Sequence, residues 1–240
     1  MILFLPLKIP RWFYLFGVFI LLLPFLLFFY FADLNRSCPA SALLPLSHMV
    51  IGVDPGHGGY DPGVVISEDG IIEKDIVLGI GLCLEEYLQQ GGAKVVMTRK
   101  TDADLLELPA AGPKKRKDMD NRLAILENSR VDLLVSVHAN SFPAANWRGA
   151  QTFYQNGKEN GEILAGCLQS ELTRVLQNTD RLPQAGDFFL LRELGAPGAI
   201  VEVGFLSNRV EATLLLDSDY QKKIAWAIYA GIIRYANHEG

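Results

Sequence analysis

His57 and His138 stand in matching settings, each after a short apolar run. His57 follows Met49-Val50-Ile51-Gly52-Val53 and sits inside Asp54-Pro55-Gly56-His57-Gly58-Gly59. His138 follows Val131-Asp132-Leu133-Leu134-Val135-Ser136-Val137 and precedes Ala139-Asn140-Ser141. Glu73 opens a helical pattern, and Glu202 lies in a third apolar run, Ala199-Ile200-Val201-Glu202-Val203. Two neutral imidazoles and a carboxylate are a standard ligand set for one Zn2+ that keeps a fourth place for water. Such an ion brings the pKa of its water down to roughly 7 and polarises a carbonyl. A second carboxylate, Glu202, would accept the proton of the attacking water and pass it to a departing amine. His57, Glu73 and His138 as ligands with Glu202 as base predict hydrolysis of an amide.

Each residue also has a plainer reading. A lone histidine after a strand is more often structural, but the chain has four histidines in all and two share this setting. His48 and His238 have no comparable one. Glu73 could be an ordinary acid at a helix N-terminus, where the dipole favours it, and Asp75 is a nearby competitor for its role. Glu202 is harder to dismiss: among Ile200, Val201, Val203 and Phe205 a carboxylate is costly to bury unless paired or used. Gly56, Gly58 and Gly59 allow a tight turn and close ligand approach. No Gly-Lys-Ser/Thr follows, which argues against a phosphate cradle. Asn140, Arg192 and Asn208 are candidate substrate contacts.

The elements that must position these residues alternate between strand-like and helix-like patterns, which predicts a single three-layer α/β domain with a largely parallel sheet. Strands are expected at about 49–54, 93–98, 131–137, 149–154 and 199–203, with a short one at 188–191. Helices are expected at 73–90, about 118–129, 158–177, 209–216 and 219–236. Ile76, Ile80, Leu84, Tyr87 and Leu88 give the first helix its apolar stripe, and Gly91-Gly92 stops it. His57, His138 and Glu202 then fall at or near the carboxyl ends of three strands, the edge where open parallel sheets bind ligands.

The first residues belong to a different physical regime. Trp12 to Ala32 is an uninterrupted uncharged and overwhelmingly apolar stretch, long enough to cross a hydrocarbon core of roughly 30 Å. Lys8 and Arg11 precede it and Asp33 follows, placing the N-terminus in the cytoplasm. The stretch is longer than a signal-peptide core of about 7–15 residues, so an anchor is favoured; if it is cleaved, the protein is secreted. The expected organisation is an anchor over 1–32, a connector over 33–48 and a catalytic domain over 49–238, exported and held to the cell membrane by a single pass.

The net charge is −5, which argues against a general nucleic-acid binder. Lys114-Lys115-Arg116-Lys117 is the exception; after Gly112-Pro113 it reads as a solvated loop, with contact to an anionic wall polymer as the minor alternative. Three cysteines make no disulfide framework, and Cys83 and Cys167 read as buried thiols within helices.

The segments Val53-Asp54-Pro55-Gly56-His57-Gly58-Gly59, Glu73-Lys74-Asp75, Ser136-Val137-His138-Ala139-Asn140-Ser141 and Glu202-Val203-Gly204-Phe205-Leu206-Ser207-Asn208 resemble, in order and spacing, the zinc-dependent N-acetylmuramoyl-L-alanine amidases of the type-3 family. Met97-Thr98-Arg99 and Asn121-Arg122 also look like that family's pattern. The resemblance implies a phosphorylase/hydrolase-like fold and cleavage between the lactyl group of N-acetylmuramic acid and L-alanine in peptidoglycan. It implies one Zn2+ held by His57, Glu73 and His138, with Glu202 catalytic. The N-terminal anchor, the insertion around Lys114 to Lys117, the stretch Trp147 to Tyr154 and the ending Ala225 to Tyr235 are similar to the family's spore-cortex branch. There the implied role is removal of the stem peptide on the way to muramic-δ-lactam. Competing readings are a metallocarboxypeptidase-like peptidase, with Arg192 or Arg99 holding a terminal carboxylate, and a non-catalytic wall-binding protein on the same fold. No activating partner is legible in the sequence.

Overall fold

Why the chain alternates as it does is visible in the computed structural model, which describes residues 44–66, 70–106 and 112–238 together with 10, 22–24 and 27. The expected membrane stretch, 12–32, falls almost wholly outside the described residues. Among those described, no helix is long and apolar enough to cross a membrane.

The order is β1 (Val50–Pro55), β2 (Val65–Ile66), β3 (Ile71–Ile72), α1 (Glu73–Gln90), β4 (Lys94–Met97), α2 (Lys114–Asn128) and β5 (Leu133–Asn140). Then come β6 (Gln151–Gln155), α3 (Glu159–Leu176), β7 (Gln184–Gly186), α4 (Phe189–Glu193), β8 (Gly198–Phe205), α5 (Arg209–Leu216) and α6 (Ser218–Ala236). The main sheet runs β4-β1-β5-β8-β6-β7. Its first four strands are parallel; β6 is antiparallel to β8, and β7 is parallel to β6. The small antiparallel pair β2–β3 leads directly into α1.

Side chains on a strand alternate between its two faces, and here the alternation separates two cores. Ile51, Val53, Leu133, Val135, Val137, Val201 and Val203 join the larger core, with Ile80 and Leu84 of α1, Leu168 of α3 and Ile228 of α6. Leu134 and Ile200 point the other way, into a smaller core with Leu126 of α2 and Leu190 and Leu191 of α4. By the same alternation Asp54, Ser136, His138 and Glu202 fall on the smaller-core side, toward the carboxyl ends of their strands. The sheet is thus covered on both faces, and the described residues from 44 onward cluster as one compact unit.

Two expectations change. Lys114 to Lys117 is the first turn of α2 rather than a loop. Lysine and arginine are good helix formers, and the i,i+4 contacts Arg116–Asp120 and Arg122–Asp118 extend the helix through the charged stretch. Residues 188–191 are not a strand: Phe189–Glu193 is a short helix that buries Leu190 and Leu191. Four apolar residues in a row fit either period. The strand in this region is β7, which like β2 and β3 is too short to stand out in sequence.

Candidate active site

Strands β1, β5 and β8 deliver three of the four residues to one edge, and α1 supplies the fourth. Glu202 on β8 sits directly opposite His138 on β5 in the strand register, so the two are neighbours on one face. Glu73 is the first residue of α1, and its amide donates to the carbonyl of Val64 (2.9 Å). Its side chain is buried, with Oε1 accepting from the amide of Ala139 (3.0 Å) and Oε2 from that of Val64 (2.9 Å). His57 follows β1 with φ 62°, a left-handed conformation uncommon outside glycine.

The geometry brings His57, Glu73 and His138 together. His57 Nε2 lies 3.1 Å and His138 Nδ1 3.2 Å from the same oxygen, Glu73 Oε1. One ligand atom from each of the three residues fits within 4.8 Å of the others. The two rings stand edge to face, 5.0 Å apart at 81°. A tetrahedral ion with bonds of roughly 2.0–2.1 Å has ligand atoms a little over 3 Å apart, which the two nitrogen–oxygen separations match. Two glycines make the closeness possible. A Cβ on Gly56 would come within 2.1 Å of the His138 ring, and one on Gly63 within 2.5 Å of Glu73 Oε2.

The two carboxylates sit in opposite environments. Burial would raise the pKa of Glu73, but hydrogen bonds from His138 and His57 and their positive charge hold it well below the ordinary range. Burial also pushes Glu202 up, to about 7; the Glu73 charge adds to this while His138 and His57 oppose it. Glu202 Oε2 is buried without a hydrogen-bond partner. Burial would lower His138, yet the hydrogen bond to Glu73 and the charges of Glu202 and Glu73 leave it raised. Asp61 Oδ2 approaches His57 Nδ1 to 3.0 Å.

Behind the site lies a buried support that the sequence did not single out as one. Asp54 accepts from Thr98 Oγ1 (2.6 Å), Ser136 Oγ (2.7 Å) and Arg122 Nη1 (2.7 Å). Arg122 also bonds Asp118 (2.7 Å) and donates from Nη2 to the carbonyl of His57 (2.6 Å). Burial disfavours the Asp54 carboxylate, but Arg122 and the two hydroxyls outweigh it and hold its pKa at about 2. Arg99 donates to the carbonyls of Pro55, Gly56, Lys74 and Thr101. Two arginines therefore grip the backbone at His57 and the two residues before it. The signal was available: Asp54 ends an apolar strand, and its burial demands a cation just as that of Glu202 demands a use.

The remaining candidates are engaged elsewhere. Arg192 pairs with Asp187 and Glu193, and Arg99 is spent on carbonyls, so neither is free to hold a terminal carboxylate as a peptidase would need. Asn208 Oδ1 caps α5 by accepting from the amides of Val210 and Glu211, while its Nδ2 donates to the carbonyl of Ala145. Asn140 ends β5, and its Oδ1 accepts from the amide of Ser141 (2.8 Å). A cavity of about 160 Å³ reaches His57 and His138 from the smaller-core side, walled by Lys115, Met119, Phe188 and Phe189.

Residues 51–234 match the family described as N-acetylmuramoyl-L-alanine amidase. The chain is 41% identical over 230 residues to the germination-specific N-acetylmuramoyl-L-alanine amidase of Bacillus subtilis (strain 168), covering 95% of this chain and 94% of the relative. Its fold is similar to that of the CwlD amidase from Clostridioides difficile, solved in complex with the GerS lipoprotein (39% identity, TM-score 0.77, 79% of this chain and 99% of that one). It is also similar to the catalytic domain of CwlV, an N-acetylmuramoyl-L-alanine amidase from Bacillus (Paenibacillus) polymyxa var. colistinus (32% identity, TM-score 0.69, 79% and 98%). The chain belongs to the type-3 N-acetylmuramoyl-L-alanine amidase family. It is an amidase of peptidoglycan, and its His-Glu-His cluster could hold a metal ion.

Proposed function

We propose that the ion is Zn2+, held by His57, Glu73 and His138, and that Glu202 is the proton-transfer group. The bond cleaved is the amide between the lactyl group of N-acetylmuramic acid and L-alanine. The donor set suits zinc, which when bound supplies a Lewis acid for the carbonyl and acidifies water. Glu202 Oε2 takes the proton of the attacking water and returns it to the amine nitrogen of L-alanine as the C–N bond breaks. A pKa near 7 suits a group that must both accept and give up a proton at neutral pH. Arg99 and Arg122 hold the backbone around His57 so that its ring keeps its aim. The observation that carries this reading is the buried, unpartnered Glu202 Oε2 beside His138.

The expected arrangement of residues 1–32 as an anchor, 33–48 as a connector and 49–238 as the exported catalytic domain places this chemistry outside the cytoplasm, on the membrane. The similarity to a germination-specific amidase and to CwlD supports a role in spore-cortex maturation toward muramic-δ-lactam. The test is Glu202→Gln in the full chain, assayed on purified peptidoglycan with zinc by mass spectrometry of the released muropeptides. Peptides beginning with L-alanine are expected from the wild type, with a loss of at least about 10²–10⁴-fold in the variant. Turnover near wild type would remove Glu202 from the mechanism, and release of free C-terminal residues instead would favour a peptidase.

A further inference from the structure

We infer that the basic first turn of α2, Lys114 to Lys117, receives the carboxylates of the stem peptide on the leaving-group side of the scissile amide. The inference rests on the amidase reading above and names how the same site selects its substrate.

Lys115 walls the cavity that also exposes His57 and His138. Its Nζ is 3.9 Å from Asp61 Oδ2, the oxygen that approaches His57 Nδ1 to 3.0 Å. On one side of the turn, Lys114 Nζ stands 5.7 Å from the ring centre of Tyr60, on the loop that carries His57. On the other, the Arg116 guanidinium lies 4.5 Å from the ring centre of Phe189 on α4. The turn therefore spans the mouth of the cavity, from the His57 loop to α4.

Its charge is in large part uncompensated. The Lys115 side chain is 75% exposed and meets Asp61 only at the limit of an ion pair, while Arg116 is matched by Asp120. Among the described residues no carboxylate pairs with Lys114 or Lys117. The first turn of α2 contains no acid, and a helix N-terminus is itself positive, so four cations there raise the local potential. A chain of net charge −5 thus concentrates positive charge beside its reaction site.

The substrate divides in the complementary way. The glycan around the lactyl group is neutral, whereas the stem peptide that departs with its alanine amine carries free carboxylates. A cationic rim on one side of the cleft draws the peptide there and fixes which way the amide lies. Met119, Phe188 and Phe189 offer the aliphatic part of the peptide an apolar wall.

The test compares the full chain in detergent with the triple variant Lys114→Gln, Lys115→Gln, Lys117→Gln. Both act on a soluble muramyl-pentapeptide with free carboxylates and on the same compound with its carboxylates amidated. The variant is expected to raise KM about tenfold on the free-carboxylate substrate, from three solvent-exposed contacts, with kcat within about twofold of wild type. On the amidated substrate the two proteins behave alike. Thermal stability is expected to stay level or rise slightly, because removing cations from a helix N-terminus relieves repulsion. An unchanged KM, an equal loss on both substrates, or an effect seen only on whole wall, which would point to a wall polyanion, overturns the inference. If the wild type cleaves peptidoglycan but neither compound, the inference falls and the amidase reading stands.

Discussion

On β5 the residues at 133, 135 and 137 go to one side of the sheet and those at 134, 136 and 138 to the other. The first set is Leu, Val, Val, closed over by α1, α3 and α6. The second is Leu, Ser, His, on the face that α2 and the short α4 cover. β1 and β8 repeat the division, with Val53 against Asp54 and with Val201 and Val203 against Glu202. One face is dry and apolar along its length. The other is apolar at the amino ends of the strands and becomes polar and hollow toward the carboxyl ends. The same backbone carries stability on one side and chemistry on the other, and the polar side stands only because each buried charge there has a partner or a use.

The sharpest way to break this division is Arg122→Met. Removing the cation leaves Asp54 buried without its ion pair, a change worth about 3–5 kcal/mol, and releases the carbonyl of His57. Denaturant unfolding is expected to show that loss, and activity per folded molecule is expected to fall as well. A variant that lost stability yet kept full activity would show that the support does not position His57.

Next in size is a pH effect on the metal-free protein. The folded-state pKa of Glu202 is raised from 4.5 to about 7, so between those values the folded chain binds more protons than the unfolded one. Stability is therefore greatest below pH 4.5 on this account, and falls as pH rises to about 7, by an amount on the order of 3 kcal/mol. Glu73 acts in the opposite sense and at lower pH, because its folded-state pKa is depressed: its contribution is lost as pH falls below 4.5. Unfolding midpoints of wild type and Glu202→Gln across this range should diverge toward neutral pH, the variant being the more stable. Parallel curves would mean that Glu202 is not buried as a strained carboxylate.

The smallest effect belongs to the dry face. Ile228→Val on α6, at a fully buried site, is expected to cost about 0.5–1.5 kcal/mol and to leave kcat and KM unchanged. A kinetic change would show that the two faces are coupled through the sheet.

Much of this was legible in the chain because burial and periodicity are local signals. The helix at 73–90 was bounded by the regular recurrence of Ile76, Ile80, Leu84 and Leu88 and by the stop at Gly91-Gly92. The meeting of His57, Glu73 and His138 followed from two residues at the carboxyl ends of strands and one at the start of a helix, since parallel strands bring those ends to one edge. What was hidden depends on partners far away in sequence. The residues facing Asp54 lie at 98, 122 and 136, and no spacing rule links them. The start of α2 was missed because four consecutive cations look like solvated loop, and only the i,i+4 acids Asp118 and Asp120 show otherwise. Phe188 to Leu191 was misread because a short apolar run has no period.

The central claim is that two carboxylates in one cleft have separate work: Glu73 holds the ion and Glu202 moves the proton. It is tested most directly by the zinc content of the full chain after metal stripping and reloading, in the Glu73→Gln and Glu202→Gln variants. We predict one ion per chain in Glu202→Gln and well under one in Glu73→Gln. Equal occupancy in the two variants, or loss of zinc from Glu202→Gln alone, would contradict the assignment.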